Sequence, residues 1–342
     1  MEALGLAKVS ALFVYLRGGF GRFINRKEKN MINYGLPYQG SKSAIAPWVV
    51  SCLPPGDTLV DLFCGGCAVT DAAMRAHRYK HFIINDISAM MPSTFVKALK
   101  GGFRGEDRWI DRETFFRLKD TDPSVALCFS FSNNRKDYAY GKPVEPYKKA
   151  LHYAIVFDDW DPLKELCPDV IDAAYAALNG VSDWHERRSR CLAVICRQLK
   201  KNAVCRFASE KLQALENLQS LESLERLQRL ESLQRLESLD LKTYNEDYRK
   251  VPIQDGSIVY CDPPYKGTKQ YLCDFDSDAF YHWALTRDYP VFISEYAMPD
   301  EFAPIAIKQK TCSMNDSATN IVAEKIFVQR RYADKYKRDL FL

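Results

Sequence analysis

The chain has 342 residues, 47% hydrophobic and 27% charged, with a formal net charge of +4. This is an ordinary globular composition with room for one large domain or two, and it excludes a disordered or collagen-like chain. No apolar run reaches the roughly 18 residues of a spanning helix, so no membrane partner is expected; the mild positive charge permits nucleic acid without requiring it.

Eleven cysteines, several inside apolar runs (Cys52, Cys128, Cys196, Cys261), read as reduced core thiols of a cytoplasmic protein. Cys64 and Cys67 form one isolated C-x-x-C pair, so no metal is expected. In residues 1–30 the apolar stretch Ala11 to Tyr15 precedes Arg17, Arg22, Arg26 and Lys27, the reverse of a signal peptide. They read as an accessory extension or an upstream mis-assigned start, with a domain opening at Met31.

In Leu36-Pro-Tyr38-Gln-Gly40-Ser-Lys42 a glycine stands between an aromatic and a cation, a pattern for backbone close to a ligand. Ser43 to Leu53 reads as a helix ended by Pro54-Pro55-Gly56. Thr58 to Phe63 reads as a buried parallel strand, Gly65-Gly66 as a tight turn, and Ala68 to His77 as the following helix. A second strand, His81 to Ile87, carries Asp86 about twenty residues after the glycines, the spacing at which a carboxylate meets ribose hydroxyls in nucleoside-binding α/β folds.

Residues 106–244 read as an insert. Phe129 to Lys142 mixes aromatics, amides and cations, among them Asn134, Arg135 and Tyr138, groups that contact phosphates and base edges. Arg187 to Arg206 holds seven cations and no acid, including Arg188, Arg190, Lys200 and Lys201, and is the candidate for the DNA backbone. From Leu212 to Leu239 leucine recurs at every third residue. On a helix each such step falls about 60° short of a turn, so the leucines spiral and form no coiled-coil seam. A helix wrapped by partners and a shorter helix with an irregular remainder both fit.

Ser257 to Cys261 reads as a strand that must stop at Asp262-Pro263-Pro264-Tyr265, because proline gives no N–H to a sheet. The acid is left at the carboxyl end of a buried strand, where open α/β sheets bind ligands, and Tyr265 offers a face for a planar ring. Asp276 to Leu285 reads as a helix with Phe280, Trp283 and Ala284 inward, and Val291 to Ser294 as a strand. Ala306 to Gln309 and Ile321 to Gln329 read as a closing strand pair, and the basic tail from Arg330 as exposed.

Tyr38-x-Gly-x-Lys42, Asp61-x-Phe63-x-Gly65-Gly66, Asn85-Asp86-Ile87 and Asp262-Pro263-Pro264-Tyr265 stand in the order that resembles the DNA adenine methylase (Dam-like) family. The resemblance covers residues 34–100 and 245–329. It implies a Rossmann-like α/β fold with a mostly parallel sheet and a largely helical target-recognition insert. The parts would be an extension (1–30), a catalytic domain (31–105 and 245–332), the insert (106–244, with its leucine tract 212–239) and a tail (333–342). It implies methyl transfer from S-adenosylmethionine to the N6 amine of adenine in double-stranded DNA, within a restriction–modification system with a companion endonuclease or as an orphan or phage methylase. By the same resemblance Asp262 and the Pro263 carbonyl accept hydrogens of the amine and Tyr265 stacks on the base. Tyr38, Lys42, Phe63, Gly65, Asp86 and Asp262 border the cofactor. Tyr38 and Asp61 replace the family's usual tryptophan and glutamate, and Cys67 stands near a usual glycine. Methylation of cytosine N4 or of RNA adenine, and a non-catalytic DNA-binding relative, are the alternatives.

Overall fold

The computed structural model describes residues 32–105, 107–178, 180–204, 221–236, 240–265, 275–312 and 320–337. The chain divides into two units, Met1–Asn33 and Tyr34–Leu342, and the fold below is that of the second. The proposed extension 1–30 lies outside the described residues.

Four apolar segments become buried parallel strands: β1 (Thr58–Asp61), β2 (His81–Asn85), β4 (Ile258–Cys261) and β5 (Val291–Glu295). With β3 (Asp240–Tyr244), β6 (Phe302–Cys312) and β7 (Asn320–Gln329) they form one sheet in the order β3-β2-β1-β4-β5-β7-β6. β7 alone runs against its neighbours. The connections leave β1 outward in both directions, so the topological switch lies between β1 and β4, where such sheets bind ligands beyond their carboxyl ends.

Strand side chains alternate between two cores, as a two-residue period requires. Leu59, Phe82, Ile84, Tyr260 and Phe292 face one, which also receives α1 (Ala46–Cys52), α2 (Ala68–Arg75) and α3 (Met90–Leu99). Val60, Ile83, Val259, Cys261 and Ile293 face the other, closed by Phe280 and Trp283 of α11 (Ser277–Leu285). No helix of the described residues is long and apolar enough to cross a membrane.

The insert is helical: α4 (Arg112–Leu118), α5 (Pro123–Cys128), α6 (Glu145–His152), α7 (Asp161–Leu166), α8 (Pro168–Leu178), α9 (Trp184–Val204) and α10 (Glu222–Ser232). The described part of the leucine tract is α10 and a following 3-10 turn. Leu221, Leu224, Leu227, Leu230 and Leu233 are all buried. Within α10, Leu224, Leu227 and Leu230 step back by about 60° each and so share one broad buried face, while Glu225 and Ser232 stay exposed.

Two expectations shift. Asp240–Tyr244, within the expected insert 106–244, form the sheet's edge strand beside β2. The expected exposed tail starts as a helix, α12 (Arg330–Tyr336), which buries Ala333 and sets Tyr336 edge-on to Phe292 at 5.1 Å.

Candidate active site

Three carboxylates gather where β1, β2 and β4 end. Asp61 closes β1, Asp86 follows β2 and Asp262 follows β4. Their mutual repulsion adds to the effect of burial. Burial first, then the charges of Asp262 and Asp86, hold Asp61 up at about 7 against the hydrogen bond from Thr70. That bond reaches Oδ2 at 2.8 Å, and a backbone hydrogen bond from Phe63 also favours the charged form.

The turn after β1 is shaped by what packs on it. A side-chain carbon on Gly65 (φ 46°) would lie 2.9 Å from the Tyr38 ring, and one on Gly66 2.9 Å from the Leu36 carbonyl. Leu36 N–H donates to the Gly66 carbonyl at 2.6 Å, so Tyr38 lies against the glycines. Cys67, near a position where the family has glycine, takes the left-handed conformation (φ 57°) that glycine tolerates best. Asp86 accepts from Gly65 N–H through Oδ2 and from Ser88 N–H through Oδ1, each at 2.8 Å. A carboxylate has about four acceptor positions, so two remain on Asp86. Asn245 donates to the carbonyls of Asp86 and Ile87 at 2.7 and 3.0 Å, pinning this loop to the end of β3. The Phe63 ring packs among Tyr248, Phe275 and Phe280.

Lys42 lies on Asp262. Its Nζ is 2.8 Å from Asp262 Oδ1, 3.7 Å from Glu324 Oε1 and 4.5 Å from the centre of the Tyr265 ring. Tyr265 is buried, donates its hydroxyl hydrogen to Glu324, and meets Tyr296 edge-on at 4.7 Å. Burial raises the Asp262 carboxyl, opposed by the Lys42 charge and reinforced by the Glu324 charge. Pro263 is buried beside it.

Tyr38, Gly65 and Asp86 are thus brought together, as are Lys42, Asp262 and Tyr265. The residues expected to touch DNA are not. Asn134 closes its own loop, accepting from the N–H groups of Lys136 and Asp137 at 2.8 and 3.0 Å. Arg135 (φ 58°) turns toward the loop after β2, 5.5 Å from the Tyr38 ring and 3.4 Å from Ser88 Oγ. Tyr138 is buried, with its hydroxyl on the Ile110 carbonyl at 2.7 Å, and is a core residue. Arg187 is buried and donates to the carbonyls of Ala154, Ile155 and Val181 and to Asp158. Its guanidinium is therefore closed to phosphate. Arg188 is mostly buried, 3.4 Å from Glu225, and Arg190 is half exposed beside Glu186. Lys200 and Lys201 lie on α9, but their side chains fall outside the described residues.

Sequence reasoning missed Glu324 and gave no role to the carboxylate of Asp61. Each carried a signal, an acid inside an apolar strand. It also missed Asp71, which is buried, accepts from Gly35 N–H at 2.8 Å and pairs with Arg75.

Residues 38–282, well over half of the chain, match the D12 class N6 adenine-specific DNA methyltransferase family. The chain belongs to this family. No curated protein matches it. Family membership makes the protein a methyltransferase acting on the N6 amine of adenine in DNA, and places it apart from cytosine and RNA enzymes. The sheet, mostly parallel with one reversed strand near its edge, agrees with the Rossmann-like fold expected.

Proposed function

We propose that this D12 class enzyme takes its methyl group from S-adenosylmethionine bound across the ends of β1, β2 and β4, and delivers it to an adenine turned out of duplex DNA. The fit to the cofactor rests on three features. Gly65 and Gly66 let the Tyr38 ring lie directly on the turn after β1, which sets an aromatic face beside the strand ends. Asp86 keeps two acceptor positions for ribose hydroxyls. Asp61 is a buried carboxylate at the end of β1, suited to a cationic ligand. When bound, the cofactor supplies an electrophilic methyl group.

The chain's own residues prepare the amine. An exocyclic amine shares its lone pair with the ring and is a poor nucleophile. Asp262 and the Pro263 carbonyl, aimed at its two hydrogens, favour a tetrahedral nitrogen with a directed lone pair. Tyr265 stacks on the ring. Because Tyr265 is only 6% exposed, a base within a duplex cannot reach it, so the target must leave the stack. Phe131, 59% exposed on the insert loop, is suited to fill the gap. A companion restriction endonuclease is the partner the family resemblance implies.

The observation that carries the reading is the Asp262–Tyr265 turn at the switch point, beside the glycine turn that Tyr38 covers. The test is transfer from tritiated S-adenosylmethionine to unmethylated plasmid DNA, with nucleoside mass spectrometry. N6-methyladenine, abolished in Asp262→Ala, is expected. Full activity in Asp262→Ala would overturn the mechanism, and transfer from a different donor would overturn the cofactor.

A further inference from the structure

Glu324 lies on β7, beyond the residues that match the family, yet it reaches the centre of the site. It is a glutamate at 1% exposure in an apolar strand, so its charge must be compensated. The compensation comes from the Tyr265 hydroxyl and from Lys42, whose ammonium lies between Glu324 and Asp262. That ammonium stands where the target amine must go. It is at hydrogen-bond distance from Asp262 Oδ1 and over the Tyr265 ring, the two surfaces the adenine needs.

We propose that Lys42 is a placeholder for the target amine and that Glu324 is the seat to which it withdraws, making Glu324 a positioning residue for base entry. A shift of about 1 Å would bring Nζ from 3.7 Å to hydrogen-bond contact with Glu324 Oε1. That movement loosens the Lys42–Asp262 pair and begins the withdrawal of the cation from the acceptor and the ring, with a buried anion beside it as it leaves. Without Glu324 the ammonium loses the buried anion toward which it withdraws, and it competes with the base for Asp262.

The inference rests on the proposed role of Asp262, and the experiment separates the two. Single-turnover transfer to unmethylated plasmid DNA is measured against pH and DNA concentration at saturating S-adenosylmethionine. The proteins compared are wild type, Asp262→Ala, Glu324→Gln, Glu324→Asp and the double variant Glu324→Gln/Lys42→Met. Cofactor affinity is measured separately by calorimetry. Glu324→Gln is expected to lose on the order of ten-fold in kcat/KM for DNA while its cofactor affinity changes little. Its acidic limb should move to lower pH. The groups facing Asp262 are Lys42, Glu324, Tyr265, Tyr260, Cys261 and Asp61, and the substitution removes one negative charge and leaves the cation on the acid. Glu324→Asp should restore part of the loss, and the double variant should recover DNA KM relative to Glu324→Gln, because the competing cation is gone. Additive losses in the double variant, or an unmoved acidic limb, would overturn the proposal. If Glu324→Gln does not fold, as shown by lost cofactor binding, the same criteria apply to Glu324→Asp against Glu324→Asp/Lys42→Met. An active Asp262→Ala overturns the reading of the site itself; a dead Asp262→Ala beside a wild-type-like Glu324→Gln overturns this inference alone.

Discussion

Arg226 and Arg229 stand three residues apart on α10 and grip two separate parts of the chain. Arg226 donates to the carbonyls of Cys128 and Ser130 at 3.0 and 2.6 Å, at the base of the loop that carries Phe131 and Arg135. Arg229 donates to the carbonyl of Gly35 at 2.6 Å and to that of Tyr34, just before Tyr38. One helix thus ties the insert loop to the segment that packs on the glycine turn.

Arg229→Leu is expected to cost roughly 2–4 kcal/mol in urea unfolding, because it strands two partly buried carbonyls and opens the helix contact. Burial lowers Arg229 to about 10, so it remains charged at neutral pH. Arg229→Lys should recover less than half, since an ammonium does not reproduce the guanidinium fork. Full recovery by lysine would show that charge alone matters there.

The central strands could be read from the sequence because parallel strands covered on both faces are apolar runs. β3 could not. Asp240-Leu-Lys-Thr-Tyr is a half-exposed edge strand, and polar edge residues leave no such run. Gly65, Asp86 and Asp262 could be placed for the same reason, as each follows the end of a strand, whereas Tyr38 and Lys42 come before the first strand. Arg187 misled because a count of cations does not say which are internal; its carbonyl partners lie in another helix of the insert. Glu324 was hidden because its meaning depends on Lys42, which only the closed sheet brings near.

Asp61 should make the cofactor-free enzyme less stable as pH rises. Its folded value is raised from 3.8 to about 7, so the folded state keeps a proton that the unfolded chain releases between those values. Stability is therefore fully present below pH 4 and falls as pH climbs toward 7, by up to roughly 4 kcal/mol. Asp61→Asn removes this dependence. Urea unfolding at pH 5 and pH 8 should show the variant gaining on wild type at the higher pH, while calorimetry shows weaker cofactor binding. An equal pH response in both proteins would mean that Asp61 stays ionised.

Arg135 is expected to act on the cofactor rather than on DNA. It contributes to holding the raised Asp86 carboxyl down, and its guanidinium faces the Tyr38 ring. Arg135→Gly should raise KM for S-adenosylmethionine several-fold. It should also gain up to about 1 kcal/mol of stability, because glycine relieves a left-handed backbone. The salt dependence of DNA binding should not change. In Arg190→Ala, by contrast, a phosphate contact would be lost and the salt slope should fall by about one. Reversed effects in the two variants would restore Arg135 to the DNA face.

Phe131 offers the clearest separation of function from folding. It is exposed, and its neighbours Ser132 and Asn133 hold left-handed conformations (φ 49° and 59°) that present the loop at its tip. An exposed ring buries little on folding, so Phe131→Ala should leave the thermal midpoint unchanged. If the ring fills the stack when adenine leaves, the variant loses a base–aromatic contact worth roughly 1–3 kcal/mol. Initial rates on plasmid DNA should then show kcat/KM for DNA falling by about ten-fold or more, with KM for S-adenosylmethionine unchanged. A variant with wild-type kinetics would assign the gap-filling role to another side chain. One with a lowered midpoint would mean that Phe131 packs within the insert.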